Sequence, residues 1–300
     1  MSIDLPPIRH PRRRIGGHDF DFSRQIVVMA VINRTPDSFY DAGRTFALDA
    51  AIDAAVLAAE QGAEWVDIGG VKFGPGPELA TQDELDRVIP VIAGVAQRSD
   101  VVISIDTFRP EVAQAAIAAG ASIVNDTTGI HDPSMADVVA DSEASLVITH
   151  SLAKPRQQYA RPQYRDVIGD VSAFLQDRAE FAMSRGIPEE RLILDPGHDL
   201  NKSTLHTLEL TRRFAEIAAL GFPTLAAVSN KDFIGETLER AKSERLSGSL
   251  AAATVCAVLG ARIVRMHNVP ESVDAMRTVE AILGFREPPN PIHNLGEANA

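Results

Sequence analysis

Eight short apolar runs, each closing on a polar residue or a glycine, limit what this chain can fold into. They are "IVVMAVIN" from Ile26, "EWVDIGG" from Glu64, "VVISIDT" from Val101, "SIVNDT" from Ser122, "ASLVITH" from Ala144, "RLILDPG" from Arg191, "TLAAVSN" from Thr224 and "ARIVRMHN" from Ala261. Their near-continuous apolar character, without polar alternation, marks strands buried on both faces of a parallel sheet. The segments between them, such as "LDAAIDAAVLAAEQGA" and "PEVAQAAIAAG", carry helical spacing, and several stop at a glycine that can cap a helix. Eight strands alternating with helices in 300 residues predict a single-domain α/β fold, the (β/α)8 TIM barrel. A doubly wound open sheet would use fewer strands, and no G-x-G-x-x-G follows the first run. "RRIGGHDFDFS", just before the first run, reads as a short hairpin placed to plug the barrel bottom. The predicted organisation is an N-terminal extension with this hairpin over 1–24, a barrel over 25–284 and a flexible, Pro- and Asn-rich tail over 285–300.

A net charge of −12 argues against nucleic acid as a partner, because phosphate backbones are bound by surplus Lys and Arg. Any anionic ligand must meet a local basic site. The single cysteine, Cys256, cannot form an intramolecular disulfide and lies in an apolar run, so it reads as a small core residue. No apolar run reaches the roughly 18 residues that span a membrane. The basic N-terminal stretch lacks the apolar segment of a secretory signal. The expected setting is cytoplasmic, with no membrane contact.

In a barrel of this kind the site is built at the C-terminal ends of the strands. That rim carries Asn33, Asp67, Asp106, Asn125 with Asp126, His150, Asp195, Lys231, and Arg265 with His267. Any one acid there can be a helix cap, but polar groups on every strand are a site. Lys231, Arg265 and His267 belong to the last two strands, where such barrels hold phosphate, and Asn33 can add a hydrogen bond or a carboxamide oxygen for Mg²⁺. Asp106, Asn125 and Asp195 can pair with the N–H and C=O edge of a flat heterocycle. A zinc hydrolase would need closely spaced histidine ligands, commonly H-x-H on an early strand, and the first run ends "VINR". His198, in "DPGHDLNKS", reads as a loop residue.

"NRTPDSFYDAG", "VDIGG", "SIDT", "NDT", "LDPG", "SNKDFIGE" and "RMHNV" occur in the order found in the dihydropteroate synthases, which the chain resembles from about Gln25 to Gly284. The resemblance implies a (β/α)8 barrel, a homodimer, and the Mg²⁺-assisted condensation of 6-hydroxymethyl-7,8-dihydropterin diphosphate with p-aminobenzoate in folate biosynthesis, releasing pyrophosphate. It implies that Asp106, Asn125, Asp195 and Lys231 hold the pterin. Asn33, Arg265 and His267 then hold the diphosphate, with Asn33 on the metal, and Lys231, Arg265 and His267 act in catalysis.

The departures fall on the second substrate. "DIGGVKFGPG" stands where the family has "DIGGESTRPG", so Phe73 and Gly74 replace a Thr and an Arg that meet p-aminobenzoate and pyrophosphate. Leu200 replaces a phenylalanine that packs on p-aminobenzoate, and Asp232 a serine that bonds its carboxylate. Two carboxylates 4 Å apart repel by about 1 kcal/mol even through water. Lys72 and Arg34 are candidates to restore the lost charge. Three readings follow: a synthase of reduced activity, a pterin-binding paralogue with little or no turnover, and a folate-dependent methyltransferase-like barrel, against which "TPDSF" and "RMHNV" count.

Overall fold

A computed structural model describes residues 5–33, 44–71, 74, 76, 79–157, 159 and 161–293, with side chains left undescribed at 33 and 44–47. After a hairpin of β1 (Arg12–Ile15) and β2 (His18–Asp21), eight parallel strands follow: β3 (Val27–Asn33), β4 (Trp65–Gly69), β5 (Val102–Asp106), β6 (Ile123–Asp126), β7 (Ser145–Thr149), β8 (Leu192–Asp195), β9 (Leu225–Ala226) and β10 (Ile263–Met266). Seven lateral pairings order them β8-β7-β6-β5-β4-β3-β10-β9, and a parallel bridge from Leu194 to Thr224 joins the two ends. The sheet is therefore a barrel rather than the doubly wound alternative. The β9 run holds four consecutive apolar residues, Leu225 to Val228, but only two pair regularly, so the β8–β9 seam is the weakest.

Helices α1 (Arg44–Glu60), α2 (Thr81–Arg98), α3 (Pro110–Ala119), α4 (Ser134–Ala140), α5 (Val167–Ser184), α6 (Thr204–Arg212), α7 (Phe214–Ala218), α8 (Asp232–Leu238), α9 (Leu246–Val258) and α10 (Val269–Ile282) cover the outside. The packing follows from spacing: α2 buries Val88, Val91, Ile92 and Val95, one helical stripe, against strands buried on both faces. Cys256 is buried within α9, as its apolar run implied. No described helix is long and apolar enough to cross a membrane.

Alternation along the strands divides the barrel interior into layers. At the bottom, Val27, Met29, Trp65, Val102, Ile123, Val147, Ile193, Leu225 and Ile263 meet Ile15, Phe20 and Phe22 of the hairpin segment. Phe20 lies edge-on to Trp65 with ring centroids 5.5 Å apart, so the hairpin is a plug. Two buried arginines bond it to the strands: Arg13 donates to Leu192 O at 2.6 Å, and Arg262 to Phe22 O at 2.9 Å. With that end sealed, two residues further along six of the eight strands the inward positions turn polar, as Asp67, Ser104, Asn125, Thr149, Asp195 and Arg265. Register sets Asn33 beside Gly69, Gly69 beside Asp106, Asp106 beside Asn125, and Thr149 beside Asp195, so the rim groups stand at similar height.

Candidate active site

The site is organised by a carboxylate two residues above Trp65. Asp67 is fully buried and accepts hydrogen bonds from Ser104 Oγ (2.6 Å), Asn125 Nδ2 (3.0 Å) and Arg265 Nε (2.6 Å), each from a different strand. Arg265 also donates through Nη2 to Asp106 at 3.1 Å, so one guanidinium spans two carboxylates. Because the Asn125 amide N–H₂ must face Asp67, its carbonyl oxygen faces away, buried and with no protein partner. A buried acceptor without a donor is costly unless a ligand supplies one. Asp126, the next residue, points elsewhere and takes Thr128 N, Thr128 Oγ1 and Ile130 N, which makes it the cap of its own turn.

Burial, then the neighbouring Asp67, raises the Asp106 pKa to about 7 against the opposing pull of Arg265. Burial also raises Asp195 to about 6, although it accepts from Gly197 N at 2.7 Å and feels Lys231 and Lys202. For Lys231 burial dominates and lowers the pKa, with Asp199 holding the proton most strongly among its neighbours. The His267 pKa is lowered by desolvation and then by Arg265, Lys242 and Lys231, so its ring is neutral, with Nδ1 2.9 Å from Ser229 Oγ. Two acids of raised pKa therefore face two cations and a neutral imidazole.

Lys231, Arg265 and His267 line a cavity of about 300 Å³ with Ser229, Asn230, Asp199, Asp232 and Lys242. Its far wall is held by contacts that the sequence does not announce. Asp199 Oδ2 accepts from the backbone N–H of Asp232 (2.6 Å) and Phe233 (3.2 Å), capping α8 from the neighbouring loop. Arg245 donates to the carbonyls of Asn230 and Lys231, both at 3.0 Å, and to Asp232 Oδ1 at 2.9 Å. Gly235 makes room for it, since a Cβ there would lie 2.2 Å from the guanidinium. Lys202, buried, donates to Gly197 O (2.9 Å) and Leu200 O (3.1 Å) and bonds His150 Nδ1 (2.9 Å), fixing the loop that follows Asp195. Gly197 has φ +70° and a Cβ would stand 2.2 Å from His150 O, so glycine is required there.

Of the residues singled out from sequence, Asp106, Asn125 and Arg265 share one hydrogen-bonded cluster through Asp67, while Asp195 and Lys231 face it across the same mouth. Asn33 ends β3 in register with Gly69, its side chain undescribed. His198 lies in the turn after β8, buried between Phe214 and Phe233. Phe73, Lys72 and Arg34 lie outside the described residues. Gly74 is exposed, and its carbonyl takes Arg156 Nη1 at 2.5 Å, an arginine from the loop after β7. Leu200 is half-buried. The Asp232 side chain is 83% exposed and paired with Arg245, which softens the repulsion expected of a free carboxylate.

Residues 29–267 match a family described as "Pterin binding enzyme". The chain is 42% identical over 275 residues, 90% of its length and 86% of the relative's, to "Inactive dihydropteroate synthase 2" of Mycobacterium tuberculosis (strain ATCC 25618 / H37Rv). It is 39% identical over 261 residues, 87% of its length and 93% of the relative's, to "Dihydropteroate synthase" of Escherichia coli (strain K12). Among solved structures it resembles the Xanthomonas albilineans dihydropteroate synthase, seen with 4-aminobenzoic acid (TM-score 0.85) and in complex with 7,8-dihydropteroate (TM-score 0.82). Identity is 37% in both, covering 91% of this chain and 98% of that one.

Proposed function

The chain belongs to the dihydropteroate synthase family, and we propose that it binds 6-hydroxymethyl-7,8-dihydropterin diphosphate and condenses it slowly with p-aminobenzoate. The observation that carries this reading is the cluster around Asp67. It presents Asp106 and the unpartnered Asn125 carbonyl to a heterocycle, beside a cavity walled by Lys231, Arg265 and His267. A pterin edge offers N–H groups to Asp106 and Asp195 and to the Asn125 oxygen, and a ring carbonyl to Lys231.

In the reaction the methylene C–O bond breaks and its electron pair leaves with pyrophosphate. The aromatic amine then forms the C–N bond and gives up a proton. Lys231, Arg265 and neutral His267 hold the leaving group by charge and hydrogen bonding, which is the main demand of such a step. Among the described residues no three His, Cys, Asp or Glu side chains gather where they could hold a metal ion, and the cavity wall is cationic. That wall suits the diphosphate rather than a free metal ion, so a Mg²⁺ would arrive with the diphosphate, and Asn33 would be the residue to hold it. Bound there, it would supply further neutralisation of the leaving group.

The second reading, binding with little or no turnover, is favoured by the 42%-identical relative whose name calls it inactive and by the Asp232 carboxylate on the cavity wall. Calorimetry with each substrate separates what the two halves of the site retain. The expected result is saturable binding of the pterin diphosphate in the presence of Mg²⁺, with p-aminobenzoate binding measurable only after it. Failure of the diphosphate to bind would sink both readings.

A further inference from the structure

One cation in the cavity wall has no counterpart in the pairs described above. Lys242 starts the 3-10 turn Lys242–Glu244 between α8 and α9 and lines the cavity with Lys231, Arg265 and His267. The charged side chains around it are taken: Arg240 pairs with Glu244 at 3.7 Å, and Arg245 with Asp232 at 2.9 Å. Asp199, the other cavity acid, is spent on the N–H groups of α8. Among the described residues Lys242 itself forms no ion pair. Its charge nonetheless reaches across the cavity, because it is one of three cations that lower the proton affinity of His267. Arg265 is balanced by Asp67 and Asp106, so Lys242 is a positive charge at the outer wall without a carboxylate of its own.

We propose that Lys242 is a specificity-determining contact for the outer, terminal phosphate of the bound diphosphate, making this cavity select a diphosphate over a single phosphate. The inference rests on the reading of the cavity as the diphosphate site. An exposed ammonium on a flexible four-carbon stem suits the role, because the terminal phosphate carries the most charge and is the part nearest solvent. The same contact holds pyrophosphate after the C–O bond breaks, so Lys242 also slows product release.

The test titrates the full chain with inorganic pyrophosphate and with inorganic phosphate, each with Mg²⁺, in the wild type, Lys242→Ala, Lys242→Arg and His267→Ala. Lys242→Ala is expected to weaken pyrophosphate about 3- to 10-fold and phosphate less than about 2-fold, with Lys242→Arg close to wild type. An NMR titration of the His267 ring should show its pKa rising in Lys242→Ala, a change that needs no ligand. Unchanged pyrophosphate affinity in Lys242→Ala, with weakened binding in His267→Ala, would overturn the role of Lys242 and leave the diphosphate site standing. Unchanged affinity in both variants would overturn the site and Lys242 with it.

Discussion

Replacing Arg265 by alanine is expected to cost the folded chain about 3–5 kcal/mol in urea unfolding, because it leaves a buried carboxylate without its charge partner. Asp67 would keep Ser104 and Asn125 as neutral donors, and Asp106 beside it would lose its guanidinium partner. Ligand affinity should fall as well. The guanidinium that bonds Asp106 also lines the cavity proposed for the diphosphate, so about a 100-fold loss of pterin diphosphate affinity is predicted. Arg265→Lys keeps the charge but not the fork that spans two carboxylates, and should fall between the two. An unfolding midpoint and an affinity that both survive Arg265→Ala would mean that Asp67 does not organise the site.

The second large effect is on pH. In the proposed complex Asp106 and Asp195 offer both oxygens to heterocycle N–H groups only when ionised, since protonation turns one oxygen into a donor, and burial raises their pKa values to about 7 and about 6. Raised values mean that these groups take up protons earlier on acidification than an exposed carboxyl does. Heterocycle affinity is therefore full from about pH 8 upward and lost as the pH falls through about 7 and then about 6, by up to about tenfold per unit for each group. Asp106→Ala should cost about 1–3 kcal/mol of affinity at neutral pH and remove the upper of the two inflections. Calorimetry between about pH 8 and about pH 5 reads both effects. A flat profile, or an Asp106→Ala variant of unchanged affinity, would show that the heterocycle binds elsewhere.

The barrel was legible because buried parallel strands leave continuous apolar runs, and the plug because "RRIGGHDFDFS" places Ile15 and Phe20 on either side of a Gly-Gly turn. The rim was legible as a set of residues but not as the bonds that tie them together. Asn125 and Asp126 are adjacent and equally polar, yet alternation turns the first into the site and the second into a turn cap. Asp67 looks like any strand-end acid. Ser104, two residues before Asp106 on the same face, was the available signal that a polar layer lies beneath the rim there. The supports of the cavity could not be read, since Asp199 caps a helix 33 residues away and Arg156 reaches Gly74 from 82 residues away. Those distances belong to loops, whose contacts leave no period in the sequence.

Turnover decides between a slow synthase and a binding protein, and pyrophosphate release measures it. Purified protein is incubated with the pterin diphosphate and Mg²⁺, with and without p-aminobenzoate, beside Lys231→Ala. Slow release that requires p-aminobenzoate and disappears in Lys231→Ala is the predicted result. Saturable binding of the diphosphate with no release above the protein-free rate would contradict synthase activity and leave a pterin-binding paralogue.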